Sequence, residues 1–164
     1  MPHDMLVKLY NLENDWSFVK EQENKGRLIR KPIAPEKSKL TEWIEKEFGE
    51  GWKDEFVSSF YNTPKSCFIA TEKNQIVGFA CYDATALGFF GPTGVLEKYR
   101  GKGTGKALLL ACMLDMKLKG YGYAAIGAVG PAEFYSKAVG AVKIPDSWPG
   151  AYRDLLGCDF NNEE

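Results

Sequence analysis

The chain has 164 residues, of which 45% are hydrophobic, 26% charged and 13% aromatic, a balance that excludes a disordered, collagen-like or coiled-coil protein. Its 21 Lys and Arg stand against 22 Asp and Glu, so the net charge of -1 creates no global field for nucleic acid or an anionic membrane. Any anion site must be local, and the length predicts one domain over residues 1–164.

Residues 5–10 mix Leu6, Val7, Leu9 and Tyr10 with the single charge of Lys8 and predict a short strand, with residues 1–25 expected as an N-terminal extension or arm. The periodicity of residues 16–22 does not decide between helix and loop. Residues 26–33 predict a second strand, because Pro32 and Pro35 oppose a helix there. From Pro35 onward Leu40, Ile44 and Phe48 recur every four residues beside Trp43, which makes an amphipathic helix with Gly49 at its C-terminus. Trp52, Phe56 and Phe60 repeat that spacing in a shorter helix that stops before Pro64.

Residues 66–71 and 75–82 are β-rich runs joined by Glu72-Lys73-Asn74, a hairpin pattern. Residues 88–96 form a further strand, but Gly91-Pro92-Thr93-Gly94 interrupts it, so strand pairing is expected to loosen there. Residues 104–119 predict a strong helix with Ala107, Leu110 or Ala111, Leu114 and Leu118 on one face and Gly120 at its end. Residues 121–129 suit a strand buried on both faces, and residues 131–139 a short helix begun by proline and ended by Gly140. The tail, with Pro145, Pro149 and Gly150, closes the chain less regularly. The class is α+β, or mixed α/β.

Chemistry concentrates in residues 95–106, where a strand runs through Arg100-Gly101-Lys102-Gly103-Thr104-Gly105-Lys106 into a helix. Glycines let the backbone turn and present successive N–H groups, the helix N-terminus adds partial positive charge, and Arg100, Lys102 and Lys106 add full charges: the pattern of a phosphate or pyrophosphate site. A Walker A loop would need glycine where Arg100 stands and Ser or Thr where Ala107 stands. A dinucleotide fingerprint would need a small residue at Lys106 or Leu108, so neither motif fits. The only histidine is His3, near an end expected to fray, which removes Ser-His-Asp and Cys-His nucleophiles and most zinc sites. Cys67, Cys81, Cys112 and Cys158 have no C-x-x-C spacing and are expected to be reduced core residues. No apolar run approaches the ~20 residues of a membrane span, and Asp4 sits where a signal peptide is basic, so the expected location is the cytoplasm.

The run Arg100-Gly101-Lys102-Gly103-Thr104-Gly105 resembles the signature of the GNAT superfamily of acetyl-CoA-dependent N-acetyltransferases: Arg or Gln, two residues, Gly, one residue, then Gly or Ala. Downstream, Phe134-Tyr135-Ser136-Lys137-Ala138-Val139-Gly140-Ala141 is similar to the family's aromatic-Tyr-x-x-x-x-Gly helix, so the resemblance spans about residues 66–141. It implies a central mixed, mostly antiparallel sheet with splayed strands, flanked by helices, and acetyl-CoA as cosubstrate with no metal. By the same resemblance, the backbone of Arg100, Gly101, Lys102, Gly103, Thr104 and Gly105 cradles the coenzyme pyrophosphate, and Lys106 binds the cofactor beside it. Residues 90–95, including Thr93, Gly94 and Val95, pair with the pantetheine amides, and an N–H near Thr93 or Val95 polarises the acetyl carbonyl.

Tyr135 matches the family tyrosine near the coenzyme sulfur and is expected as the general acid, since a phenol with pKa near ~10 stays protonated at neutral pH. The strand before the cradle lacks the glutamate that some members carry; Asp83 and Glu133 are candidate bases by position, Glu97 is a weaker one, and a water relay needs no dedicated residue. Pro131 stands where many relatives have an asparagine facing pantetheine. The implied acceptor is a small-molecule or peptide amine, with no nucleic acid or membrane partner, and the tail offers a surface for a homodimer. Two alternatives keep the cradle without the transfer: a non-catalytic acyl-CoA-binding sensor and a general phosphate-ligand module.

Overall fold

In the computed structural model, which describes residues 2–160, Lys73 and Asn74 both take positive φ (49° and 61°). This is the two-residue turn that matches the twist of a hairpin. It joins β3 (Cys67–Glu72) to β4 (Gln75–Tyr82) within a larger succession. Before them come β1 (Met5–Lys8), α1 (Ser17–Asn24), β2 (Arg27–Arg30), α2 (Lys37–Phe48) and α3 (Glu50–Phe60). After them come β5 (Phe89–Val95), α4 (Thr104–Lys119), β6 (Tyr123–Ile126), α5 (Ala132–Val139) and β7 (Val142–Lys143). The seven strands form one mixed sheet in the order β2-β3-β4-β5-β6-β1-β7, antiparallel except for β5 against β6.

The alternation of β4 sorts two apolar layers onto opposite faces of the sheet. Phe79 and Cys81 join Leu40, Ile44, Phe56 and Phe60 of α2 and α3, whereas Ala80 and Tyr82 join α4 together with Phe18, Phe90, Tyr135 and Val139. At the start of α2, Arg30 donates to both carboxylate oxygens of Glu36 (2.8 and 2.6 Å), and Glu36 also accepts the Ile33 N–H (2.9 Å).

Several expectations need correction. The described part of the expected arm, residues 2–25, belongs to the domain: β1 lies between β6 and β7 with Met5 and Val7 buried, because its apolar residues complete the sheet beyond β6. The undecided segment folds as α1, which buries Phe18 and Gln22. Helix α4 is not buried on one stripe, since Leu108, Leu109, Ala111, Cys112, Met113, Leu114 and Met116 are all covered while Leu118 is 67% exposed. The sheet covers one side of that helix and α1 with the turn after β1 covers much of the other. β6 buries Ala124 and Ile126 but leaves Tyr123 half exposed against Tyr10, so only one of its faces is dry. Cys67, Cys81 and Cys112 are buried free thiols, whereas Cys158 is exposed in the irregular tail. No helix among the described residues is long and apolar enough to cross a membrane.

Candidate active site

β5 and β6 pair only at Phe89 with Ala125 and Phe90 with Ile126. Beyond that point Gly91 has φ +118° and Pro92 has no N–H to donate, so the two strands part. The other edge of β5 stays on β4, with Leu96 N–H donating to Val77 O at 2.9 Å. In an extended strand the N–H groups of Thr93 and Val95 therefore point the opposite way, into the gap. Both residues offered at the sequence level as carbonyl-polarising amides thus share the open edge.

The gap widens into a cleft of about 660 Å³, a size suited to a small-molecule or cofactor site. Its walls are Gly91 to Val95, the end of β6 with the turn after it, Phe134 and Tyr135 of α5, and Trp52 from α3. Gly94 must lack a side chain here: a Cβ would stand 2.6 Å from the ring of Phe48, which stacks on Trp52 at 5.3 Å.

At the other end lies the glycine-rich turn. Gly101 and Gly103 take positive φ (75° and 81°), and Gly103 caps α4. The first helical hydrogen bond shown there is Ala107 N–H to Gly103 O (3.0 Å), so the amides of Thr104, Gly105 and Lys106 precede it and gather at the positive end of the helix dipole. Arg100, Gly101, Gly103, Gly105 and Lys106 line the cleft, and Arg100 Nε donates to Val95 O (3.1 Å).

Lys102 and Thr104 are turned away, because a polar brace behind the turn holds them. Gln22 Nε2 donates to Lys102 O (3.2 Å), as does Arg27 Nη2 (3.3 Å), while Arg27 Nε and Thr104 Oγ1 both donate to Gln22 Oε1 (2.8 and 3.2 Å). Gln22, Arg27 and Thr104 are buried, and the Lys102 ammonium lies over the ring of Tyr99. What Lys102 and Thr104 bring to the site is backbone. Sequence reading missed Gln22 and Arg27, and no local signal marks them, since about eighty residues separate them from the turn they support.

Tyr135 is buried on the α4 side of the cleft, its ring edge-on to Phe90 (6.2 Å) and Phe134 (5.1 Å). No hydrogen bond joins its hydroxyl to another described residue. Burial raises its pKa, so the phenol keeps its proton at neutral pH with that proton free for a ligand.

The two carboxylates expected as bases do not reach the cleft. Asp83, with φ +51° at the end of β4, has a side chain only 1% exposed. It accepts from Lys119 Nζ (2.8 Å), the Tyr121 hydroxyl (2.9 Å) and Gly88 N–H (2.7 Å), so its oxygens are occupied in tying the β4–β5 loop to the end of α4. Glu133 points outward from α5, its side chain 81% exposed and paired with Lys137 at 2.8 Å. Glu97 is exposed on the turn before Arg100.

Known proteins share this fold. The family model of the acetyltransferase (GNAT) family matches residues 37–140. The glucosamine N-acetyltransferase region of a fungal multi-domain beta-N-acetylglucosaminidase superposes with a TM-score of 0.71 at 14% identity, covering 87% of this chain and 20% of that one. A GCN5-related N-acetyltransferase from Sphaerobacter thermophilus gives 0.64 at 20% identity, covering 88% of this chain and 50% of that one. A GNAT family N-acetyltransferase from Escherichia coli in complex with CoA gives 0.51 at 22% identity, over 68% of this chain and 67% of that one. The chain thus spans a fifth of the first neighbour and half of the second, and at these identities the likeness is one of fold. No curated protein matches it in sequence.

Proposed function

The chain belongs to the acetyltransferase (GNAT) family, whose model spans well over half of it, and we propose that it moves an acetyl group from acetyl-CoA directly to a primary amine, with Tyr135 as general acid. The observation that carries this reading is one continuous cleft: an amide cradle at the N-terminus of α4, an unpaired edge of β5, and a buried tyrosine with a free hydroxyl at the far end.

Each part has a task suited to its chemistry. The amides of the turn, with Arg100 and Lys106, hold the coenzyme pyrophosphate through charge-assisted hydrogen bonds. The open edge of β5 pairs with the pantetheine amides, which aligns the thioester. An amide of that edge, at Thr93 or Val95, stabilises the oxyanion as the amine attacks the carbonyl carbon. The C–N bond forms, the C–S bond breaks, and Tyr135 gives its proton to the departing thiolate.

Isothermal titration with acetyl-CoA tests the cradle, and release of coenzyme thiol in the presence of amines tests the transfer. Arg100→Ala is expected to weaken binding about tenfold, the loss of one charge-assisted contact. Gly103→Asp is expected to abolish it, because a side chain at φ +81° is strained and its charge repels phosphate. Absence of binding by the unmodified protein would overturn the reading. Because Asp83 and Glu133 lie outside the cleft, a second reading is a sensor that holds acyl-CoA without transfer. Tight binding with no acetylation across a broad amine panel is its signature.

A further inference from the structure

Gln22 stands four residues after Phe18 on α1, so the two share the face that α1 turns inward, and both are buried. An apolar residue would fit such a position at lower cost, because a buried amide side chain must find partners for its polar atoms. Gln22 finds them in three places. Its Oε1 accepts from Arg27 Nε (2.8 Å) and Thr104 Oγ1 (3.2 Å), and its Nε2 donates to Lys102 O (3.2 Å). A guanidinium has only donors, so Arg27 dictates which end of the amide faces it and leaves the NH2 for the Lys102 carbonyl. Arg27, its side chain 5% exposed, adds a second donor to that carbonyl through Nη2 (3.3 Å), while its Nη1 lies 3.6 Å from Glu72.

Holding that carbonyl sets the direction of the next amide. The Lys102–Gly103 bond is trans, and in a planar trans peptide the C=O and the N–H point in opposite directions. With the carbonyl held against Gln22 and Arg27, the Gly103 N–H is turned away from them. Gly103 is a wall residue of the cleft and Gln22 and Arg27 are not, although a Cβ on Gly103 would stand only 3.2 Å from Gln22 Nε2. The Gly103 N–H donates to no other described residue and stands beside the amides of Thr104, Gly105 and Lys106. Two donors on one carbonyl, one of them charged, also polarise the peptide and make its N–H a stronger donor.

We propose that Gln22 and Arg27 are positioning residues for the coenzyme: by fixing the Lys102 carbonyl behind the turn, they aim a polarised Gly103 N–H at the coenzyme pyrophosphate. This rests on the acetyl-CoA reading and gives a task to two buried residues that stand outside the cleft. Both act through the Lys102–Gly103 peptide and neither touches the ligand. Coenzyme affinity is thereby tied to the way α1 and β2 pack behind the turn.

The test uses the full chain and acetyl-CoA. Gln22→Glu keeps the volume of the side chain and gives Arg27 a carboxylate, so the fold is expected to hold. It has no N–H for Lys102 O and sets a carboxylate oxygen against that carbonyl. Arg27→Met, which removes the charged donor and keeps an apolar stem, is the second variant. Isothermal titration is expected to give each a Kd for acetyl-CoA about tenfold above that of the unmodified protein. In isotope-labelled protein saturated with acetyl-CoA, the Gly103 amide proton is expected to move downfield, as an amide donating to phosphate does, and to move less in Gln22→Glu. The Thr93 amide, farther along the cleft on β5, is expected to shift equally in both proteins, which a general loosening of the domain would not allow. If Gln22→Glu does not fold, Arg27→Met carries the same two readouts. Binding by the folded variant within about twofold of the unmodified protein overturns the proposal, and so does a Gly103 amide that ignores acetyl-CoA or shifts as far in the variant. Equal changes at Gly103 and Thr93 assign the two residues to packing and overturn it as well. If the unmodified protein does not bind acetyl-CoA, the coenzyme reading falls and the proposal with it. The expected losses without transfer to any amine support the brace and remove the transfer reading alone.

Discussion

Replacing Tyr135 by phenylalanine removes one hydroxyl and leaves the ring contacts with Phe90 and Phe134 intact. Under the acid role, kcat is expected to fall about 10²-fold while acetyl-CoA affinity holds within about twofold, separated by steady-state thiol release and titration; unchanged turnover would remove Tyr135 from that role. Because burial raises its pKa, loss of the proton-donating form belongs above the usual phenol value of ~10, so no fall in activity between pH 7 and 9 should trace to this group. Asp83 makes the opposite case. Its carboxylate joins Lys119, Tyr121 and the Gly88 amide beneath the surface, so Asp83→Ala is expected to cost about 3 kcal/mol or more in denaturant unfolding. Among molecules still folded, turnover per site should remain close to that of the unmodified protein. A variant with normal stability and no turnover would return Asp83 to the list of bases.

Elements hold the site through contacts that local spacing does not announce. The glycine turn owes its two left-handed residues to its own composition, but its carbonyl at Lys102 is held by Gln22 of α1 and Arg27 of β2. The start of α2 is fixed in a comparable way by the Arg30–Glu36 pair. The Arg30 guanidinium, helped by the Ile33 amide, holds the Glu36 carboxyl down at about 2, below the ordinary carboxylate range. A depressed carboxylate stabilises the fold when ionised, so its contribution is whole above about pH 4.3 and is lost as pH falls through about 2. Glu36→Gln is therefore expected to lower stability at neutral pH by no more than about 1 kcal/mol, since the pair is partly exposed. The variant should also show a shallower loss of stability from pH 5 to 2, measured as denaturation midpoints across that range. Equal slopes in the two proteins would separate the pair from acid sensitivity.

At the scale of the whole molecule, β1 decides how the far half of the sheet is closed. It pairs with β6 on one side and β7 on the other, and Val7 is fully buried in the layer shared with α4. Val7→Asp is expected to destabilise the entire domain by about 4 kcal/mol or more, read as a shifted denaturation midpoint with one transition. A cost below about 1 kcal/mol would mean that β1 is peripheral after all. Such dependence is invisible in the first ten residues, whose short apolar run fits an edge strand, an arm or an interior strand equally well. What the sequence by itself determined is what neighbouring residues settle among themselves: the Lys73-Asn74 hairpin, the four-residue period of α2 and α3, the loosened pairing at Gly91-Pro92, and the glycine turn from Arg100 to Lys106 that leads into α4. Backbone sterics and amide geometry act over a few residues, so they leave a mark in local order. Only the tertiary structure decided that Asp83 and Glu133 stay away from the cleft and which residues brace the glycine turn. Those outcomes follow from how distant elements pack across the two faces of one sheet, a long-range arrangement that spacing along the chain does not encode.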